Sequence, residues 1–122
     1  MASSSRTILI VEDDANSRVA LEALVASYGY RTRSAANGQD TLKIAAETEF
    51  EGVLLDFLLP DMNGLEVLKQ LRAFHPTVPI LIISGYERFK SQALASGAQG
   101  FLLKPFEAER LRDLMVDWFG TP

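Results

Sequence analysis

Residues 8–14 read Ile-Leu-Ile-Val-Glu-Asp-Asp, a short apolar run that ends in three consecutive carboxylates. Four branched or long aliphatic side chains in a row are typical of a strand that helices cover on both faces, as in a parallel sheet. Comparable apolar runs recur at residues 53–55, 80–83 and 101–103. We therefore predict four central strands of a parallel sheet.

Helix-like segments separate these runs. Leu21, Leu24, Val25 and Tyr28 follow helical spacing, and Gly29 stands where a left-handed residue would end that helix. Four further helices are predicted at residues 40–47, 65–74, 88–96 and 107–118. Residues 30–34 alternate in polarity and carry two arginines, which favours a charged edge strand. Alternating strands and helices predict one α/β domain.

Composition excludes several classes of protein. The chain has 122 residues, of which 48% are hydrophobic and 23% charged, so one folded domain is expected. A formal net charge of −4 gives no reason to expect direct contact with nucleic acid. The absence of Cys excludes disulfides, zinc–thiolate sites and thiol nucleophiles. No apolar run approaches the roughly 20 residues that span a bilayer, and residues 1–6 lack the apolar segment of a secretion signal, which favours a cytoplasmic protein without membrane contact.

Chemically capable side chains follow the predicted strands. In a parallel sheet the carboxyl ends of the strands share one edge, where α/β folds bind ligands. The residues expected there are Glu12, Asp13, Asp14, Asp56, Ser84 and Lys104. Clustered carboxylates repel one another unless a cation lies among them, and hard oxygen ligands suit Mg²⁺. A carboxylate nucleophile beside a metal, an ammonium and a hydroxyl are the parts needed for phosphoryl transfer, with Asp56 as the acceptor.

Each of these residues also has a purely structural interpretation. Asp13 or Asp14 could be the N-cap of the first helix. Asp56 could bond nearby N–H groups in a loop, Ser84 could belong to a turn, and Lys104 could extend into solvent. These interpretations would have to coincide at one edge of the sheet. The functional interpretation explains all of them together.

Four ordered segments carry a family resemblance. They are residues 8–14, 54–64, 82–86 and 97–106. With them the chain resembles the receiver domain of response regulators in two-component signalling, over about residues 6–119. The resemblance implies a flavodoxin-like, doubly wound (βα)5 fold in three α/β/α layers, with a five-stranded parallel sheet of order 2-1-3-4-5. It also implies a single receiver domain over residues 1–122, with no output domain.

The resemblance implies roles for the acidic residues. Asp56 matches the aspartate that accepts a phosphoryl group from a phosphohistidine donor, which is a histidine kinase or a histidine phosphotransfer protein. Asp13 matches a direct Mg²⁺ ligand, Glu12 a ligand that acts through water, and Leu58 a residue whose backbone carbonyl binds the metal. Such a module is not an enzyme for other substrates. It catalyses only its own phosphorylation and autodephosphorylation.

The resemblance further implies a conformational switch. Ser84 matches the hydroxyl residue that moves onto the phosphoryl group, and Lys104 matches the lysine that pairs with it. Phe101 matches an aromatic residue that turns inward when Ser84 moves. The expected output surface, or homodimer contact, is formed by the fourth helix, the fifth strand and the fifth helix. The Lys104–Pro105 bond is expected to be cis.

Two other classes share parts of this pattern. A small phosphatase of the haloacid-dehalogenase type uses a strand-end Asp with Mg²⁺, a hydroxyl and a Lys, but needs a second Asp where this chain has Leu58. A flavodoxin-like electron carrier would need a Gly/Ser/Thr-rich phosphate loop where this chain has acidic residues 12–14.

The single histidine, His75, is expected at a helix end, and Trp118 is expected to anchor the last helix. Leu58 and Tyr86 are expected to shield an acyl phosphate from water.

Overall fold

The computed structural model describes residues 6–122, which form a parallel sheet with helices on both faces. The strands are β1 (Thr7–Val11), β2 (Arg31–Ala35), β3 (Gly52–Asp56), β4 (Ile80–Ser84) and β5 (Gly100–Leu103). The helices are α1 (Ala15–Ser27), α2 (Gly38–Glu47), α3 (Gly64–Phe74), α4 (Lys90–Ala95) and α5 (Ala108–Phe119), with a 3₁₀ turn at Glu87–Phe89. The sheet order is β2-β1-β3-β4-β5, and every pairing is parallel. This confirms the predicted fold class.

Two apolar cores lie on opposite faces of the sheet. Because successive side chains of a strand point to opposite faces, Leu9 and Leu55 pack toward α2, α3 and α4, whereas Ile10 and Leu54 pack toward α1 and α5. All four of these side chains are at most 1% exposed. The continuous apolar runs of β1, β3 and β4 therefore reflect burial on both faces.

The two edge strands differ in how well the sequence predicted them. Arg31 and Arg33 on β2 are exposed, as predicted for an edge strand. The prediction that residues 101–103 form a central strand was wrong, because β5 is the opposite edge and Leu103 is 42% exposed. A short apolar run does not reveal whether a second strand pairs with its far side.

The last two helices deviate from the predicted pattern. The segment predicted as one helix over residues 88–96 is a 3₁₀ turn followed by the short α4. Trp118 lies against Gly100 on β5, on the side predicted, but it stays 45% exposed and covers the sheet only in part. The buried side chains of α5 are Leu111, Met115 and Phe119, and Phe119 packs against Gly52 so closely that a Cβ there would overlap its ring.

The ends of α1 and α3 agree with the sequence prediction for Gly29 and His75. Gly29 follows α1 with a φ of 105°, and Gly97 follows α4 with a φ of 108°, a region that favours glycine. His75 is the C-cap of α3, and its Nε2 lies 2.8 Å from the carbonyl oxygen of Ala45. Within residues 6–122, no helix combines the length and apolar character needed to cross a membrane.

Candidate functional site

The carboxyl ends of the strands bring four charged side chains together. Glu12 and Asp13 follow β1, Asp56 ends β3, and Lys104 follows β5. Glu12, Asp13 and Asp56 each offer one carboxylate oxygen within 4.8 Å of the other two. The cluster predicted from the sequence is therefore present in the structure.

Lys104 holds two of these carboxylates. Its Nζ donates to Glu12 Oε1 at 2.9 Å and to Asp56 Oδ2 at 3.1 Å. Burial alone would lower the pKa of Lys104, but the hydrogen bond to Glu12 and the charge of Asp56 outweigh it, so its pKa lies above the usual value. The alternative in which Lys104 merely extends into solvent is thereby excluded.

Asp56 is held at both carboxylate oxygens. Oδ2 accepts from Lys104, while Oδ1 accepts the backbone N–H of Leu58 at 3.0 Å. The Asp56 residue is only 9% exposed, so these two donors replace most of its hydration. The carboxylate is therefore oriented before any ligand binds.

The donor set fits a hard divalent cation. Only carboxylates form the cluster, and Asp13 is exposed whereas Glu12 is 4% exposed. A site with exposed and buried carboxylates on one side leaves room for the water ligands that Mg²⁺ retains. Because Lys104 already neutralises part of the charge, the residues fit a metal that binds weakly.

The loop from β1 to α1 has a structural side as well. Asp14 is the N-cap of α1, and its Oδ2 accepts the backbone N–H of Ser17 at 2.8 Å, a hydrogen bond that lowers the pKa of Asp14. Arg18 donates from Nη1 to the carbonyl oxygens of Glu12 at 2.9 Å and Asp13 at 3.3 Å. Arg18 was not predicted, although its place one turn into a helix that follows the acidic loop is a usable signal.

The predicted switch residues lie on the neighbouring strands. Ser84 is 1% exposed, its Oγ accepts the N–H of Tyr86 at 3.1 Å, and its carbonyl oxygen accepts the N–H of Lys104 at 2.8 Å. Phe101 is half-buried and packs against the core on the α4 side. The Lys104–Pro105 bond is cis, as expected from the resemblance.

An aromatic cluster joins the end of β3 to the β4–α4 segment, and it was not predicted. The ring centroids of Phe57 and Phe89 are 5.4 Å apart, and those of Tyr86 and Phe89 are 5.9 Å apart. The guanidinium carbon of Arg88 lies 4.5 Å from the Tyr86 centroid, within range of a cation–π interaction. Tyr86 in this cluster and the neighbouring Leu58 are 45% and 48% exposed and form apolar surface.

Two glycines near the site have opposite surroundings. A Cβ added to Gly64, at the start of α3, would overlap the backbone carbonyl oxygen of Phe57. A Cβ added to Gly85, after β4, would meet nothing within 4 Å. The β3–α3 loop is therefore tightly packed, whereas the backbone after Ser84 has free space beside it.

Comparison with known proteins gives the family. Residues 8–116 match the family model described as the response regulator receiver domain. The chain is 36% identical over 114 residues, or 92% of its length, to the transcriptional regulatory protein ZraR of Klebsiella oxytoca. It is 35% identical over 113 residues, or 89% of its length, to the sensor kinase CckA of Brucella abortus (strain 2308). The chain belongs to the response regulator receiver domain family.

A solved structure agrees in fold. The receiver domain of the sensor histidine kinase PA1611 from Pseudomonas aeruginosa PAO1 has a TM-score of 0.88 and 27% identity, with 96% of this chain and 99% of that chain covered. That structure has a magnesium ion coordinated in its active-site cleft. The present chain spans 26% of the length of ZraR and 12% of CckA. The chain is a receiver domain of two-component signalling, and the phosphatase alternative has no support.

Proposed function

We propose that Asp56 accepts the phosphoryl group of this receiver domain. The observation that carries the proposal is the arrangement of its carboxylate, which Lys104 and the Leu58 N–H orient inside an acidic cluster that fits Mg²⁺. A carboxylate oxygen attacks the phosphorus of a phosphohistidine, the P–N bond breaks, and the imidazole leaves with the electron pair. The product is an acyl phosphate on Asp56.

The neighbouring residues have separate parts in this reaction. Asp13 would bind Mg²⁺ directly, with the Leu58 carbonyl, while Glu12 would act through water. Bound Mg²⁺ would neutralise negative charge on the phosphoryl oxygens. Lys104 pairs with one of these oxygens and so stabilises the charge that the transfer brings into the site. Autodephosphorylation would need water at the same phosphorus, and the exposed Leu58 and Tyr86 side chains would slow its access.

Phosphorylation by acetyl phosphate should require Mg²⁺ and should depend on Asp13. We expect Asp13→Ala to raise the Mg²⁺ concentration for half-maximal phosphorylation at least about 100-fold, since even outer-shell changes weaken metal sites about 10- to 100-fold. Intact-protein mass spectrometry across a Mg²⁺ series measures this. Asp14→Asn is the matched control, because it removes a neighbouring charge while an amide still caps α1. Equal Mg²⁺ dependence in Asp13→Ala and wild type would contradict the assignment.

The phosphohistidine donor is proposed to approach beside α1. A cavity of about 270 Å³ opens next to Glu12 and Lys104, and apolar side chains line most of it. They include Ala20, Leu21, Leu24 and Phe106. A histidine kinase or a histidine phosphotransfer protein that brings its imidazole to Asp56 would cover this cavity. The similarity to the sensor kinase CckA supports a histidine kinase or a histidine phosphotransfer protein as the class of donor.

Output is proposed to pass through the surface formed by α4, β5 and α5. Ser84 ends β4 and Lys104 follows β5, so contacts of both with a phosphoryl group on Asp56 would move the Gly85 backbone and leave space for Phe101 to turn inward. A phosphoryl group shifts a conformation only through contacts that are better in one state. The partner on this surface is an output domain or a second copy of the chain.

Hydrogen exchange tests the output surface. Addition of beryllofluoride with Mg²⁺, which stands in for the phosphoryl group on Asp56, should change amide exchange mainly in residues 84–112. If about 1% of the unmodified molecules are active, near-complete activation needs a bias on the order of 5.5 kcal/mol, so the change should be large. Asp56→Asn treated in the same way is the control. Changes confined to α1 and α2 would contradict both the Phe101 switch and this choice of surface.

The domain assignment also remains a proposal. Residues 6–119 are proposed to form one receiver unit, and the relatives leave both a transcriptional regulator and a hybrid kinase open as its context. The cytoplasmic location stays a prediction, as does the absence of direct contact with nucleic acid. Limited proteolysis of this protein should leave residues 6–119 intact.

A further inference from the structure

The phosphoacceptor loop is tied to a helix that carries none of the reacting groups. Asp61 lies in the loop between β3 and α3, and its carboxylate reaches the start of α2. Oδ1 accepts the N–H of Gly38 at 2.8 Å, and Oδ2 accepts the N–H of Gln39 at 2.9 Å. These hydrogen bonds lower the pKa of Asp61, so the carboxylate is charged at neutral pH.

The backbone N–H groups at the start of α2 need hydrogen-bond acceptors, and the loop supplies them. The first N–H groups of a helix have no partner inside the helix, and a negative charge is favourable beside them. Asn37, the N-cap of α2, satisfies only the N–H of Asp40 with its side chain. Met62 packs on Gly38 so closely that a Cβ there would overlap its side chain. Asp61 and Met62 therefore hold the loop against the N-terminal end of α2.

The same loop supplies backbone groups to the phosphorylation site. Leu58 pairs with Asn63 in an isolated antiparallel bridge, which closes the segment that contains Asp61. The N–H of Leu58 donates to Asp56, and its carbonyl is the proposed metal ligand. Leu58 and Asp61 therefore belong to one closed loop, with Leu58 at its start and Asp61 within it.

We infer that Asp61 is a positioning residue for the Mg²⁺ site. By holding the loop on α2, it keeps the Leu58 carbonyl and N–H at the places where the metal and Asp56 need them. Asp61 touches neither the metal nor the phosphoryl group. Loss of its carboxylate would let the loop move, which weakens Mg²⁺ binding more than it slows transfer once Mg²⁺ is saturating. This inference rests on the proposed function.

A Mg²⁺ titration followed by amide NMR shifts tests the inference without any phosphorylation. We expect Asp61→Ala to weaken Mg²⁺ binding about 10-fold, at the low end of the effect of outer-shell changes. Phosphorylation by acetyl phosphate should show the same shift in half-maximal Mg²⁺, with a maximal rate within about twofold of wild type, as expected when a mutation removes binding rather than transition-state contacts.

The matched control is Asn37→Ala, which removes the side-chain cap of the same helix and costs about 1 kcal/mol of stability. It should lower the melting temperature while leaving Mg²⁺ affinity unchanged, which separates destabilisation of α2 from displacement of the loop. Asp61→Asn, which keeps one acceptor oxygen, should give an intermediate Mg²⁺ affinity. If Asp61→Ala binds Mg²⁺ as tightly as wild type, or no more weakly than Asn37→Ala, the inference is wrong. If wild type itself shows no Mg²⁺-dependent shifts, the proposed metal site is wrong and the inference is wrong with it.

Discussion

Asp56→Asn should gain no phosphoryl mass when it is incubated with acetyl phosphate and Mg²⁺. An amide oxygen is a poor nucleophile, so we expect the rate of phosphorylation to fall by at least about 10⁴-fold, as when other catalytic nucleophiles are removed. The substitution is nearly isosteric, and the amide oxygen can still accept the N–H of Leu58. Intact-protein mass spectrometry is the measurement.

Asp117→Asn is a suitable control for that experiment, because it removes an exposed carboxylate near the C-terminal end of α5. It should gain one phosphoryl group at the wild-type rate. Hydroxylamine, which cleaves acyl phosphates, should remove that group from the control and from wild type. If Asp56→Asn gains the same mass as wild type, the assignment of the phosphoacceptor is wrong.

Lys104→Met should lower the free energy of unfolding and raise the affinity for Mg²⁺. We expect the second largest effect from this substitution. Without the ammonium, the buried Glu12 and Asp56 carboxylates face each other with no positive charge between them. Breaking a fully buried ion pair costs about 3–5 kcal/mol, so for a lysine side chain that is 35% exposed we expect about 1–3 kcal/mol of lost unfolding free energy. Mg²⁺ should bind this variant more tightly than wild type, since it no longer competes with a bound cation.

Thermal unfolding with and without Mg²⁺ measures both effects, because a ligand that binds only the folded state raises the melting temperature. Folding raises the pKa of Lys104, so its contribution to stability is fully present below the unfolded pKa of about 10.4 and is lost as the pH rises through the folded pKa. The deficit of Lys104→Met should therefore be constant between about pH 7 and 9. Lys90→Met, on exposed α4, is the control. A Mg²⁺ stabilisation smaller than that of wild type would contradict the competition.

Much of the fold could be predicted because local pattern and burial coincide. The runs of β1, β3 and β4 are apolar throughout because both faces are covered, and Arg31 and Arg33 reveal an edge. β5 gave the same apolar signal at the opposite edge, since its exposure depends on the strand order. The true length of α4 was not predicted, because the helical spacing over residues 88–96 includes residues that form a 3₁₀ turn.

The candidate site likewise has residues that the sequence predicts and residues that it does not. Residues directly after strands could be predicted, because the sheet alone determines which edge they share. Asp61 could not be recognised, since its partners lie 22 and 23 positions away and are backbone N–H groups that any residue supplies. The cluster of Phe57, Tyr86 and Phe89 was equally hidden, because aromatic residues near strand ends serve in many cores.

The contrast between Gly64 and Gly85 bears on how such a domain can be recombined. The backbone around Gly64 has no spare volume, because the Phe57 backbone lies against it, so chimaeras would have to exchange the whole segment from Phe57 to Gly64 as one piece. A side chain added at Gly85, directly after Ser84, meets no neighbour within 4 Å, so substitutions at that position face no steric barrier. A lineage can therefore vary the residue at position 85 while Gly64 stays constant.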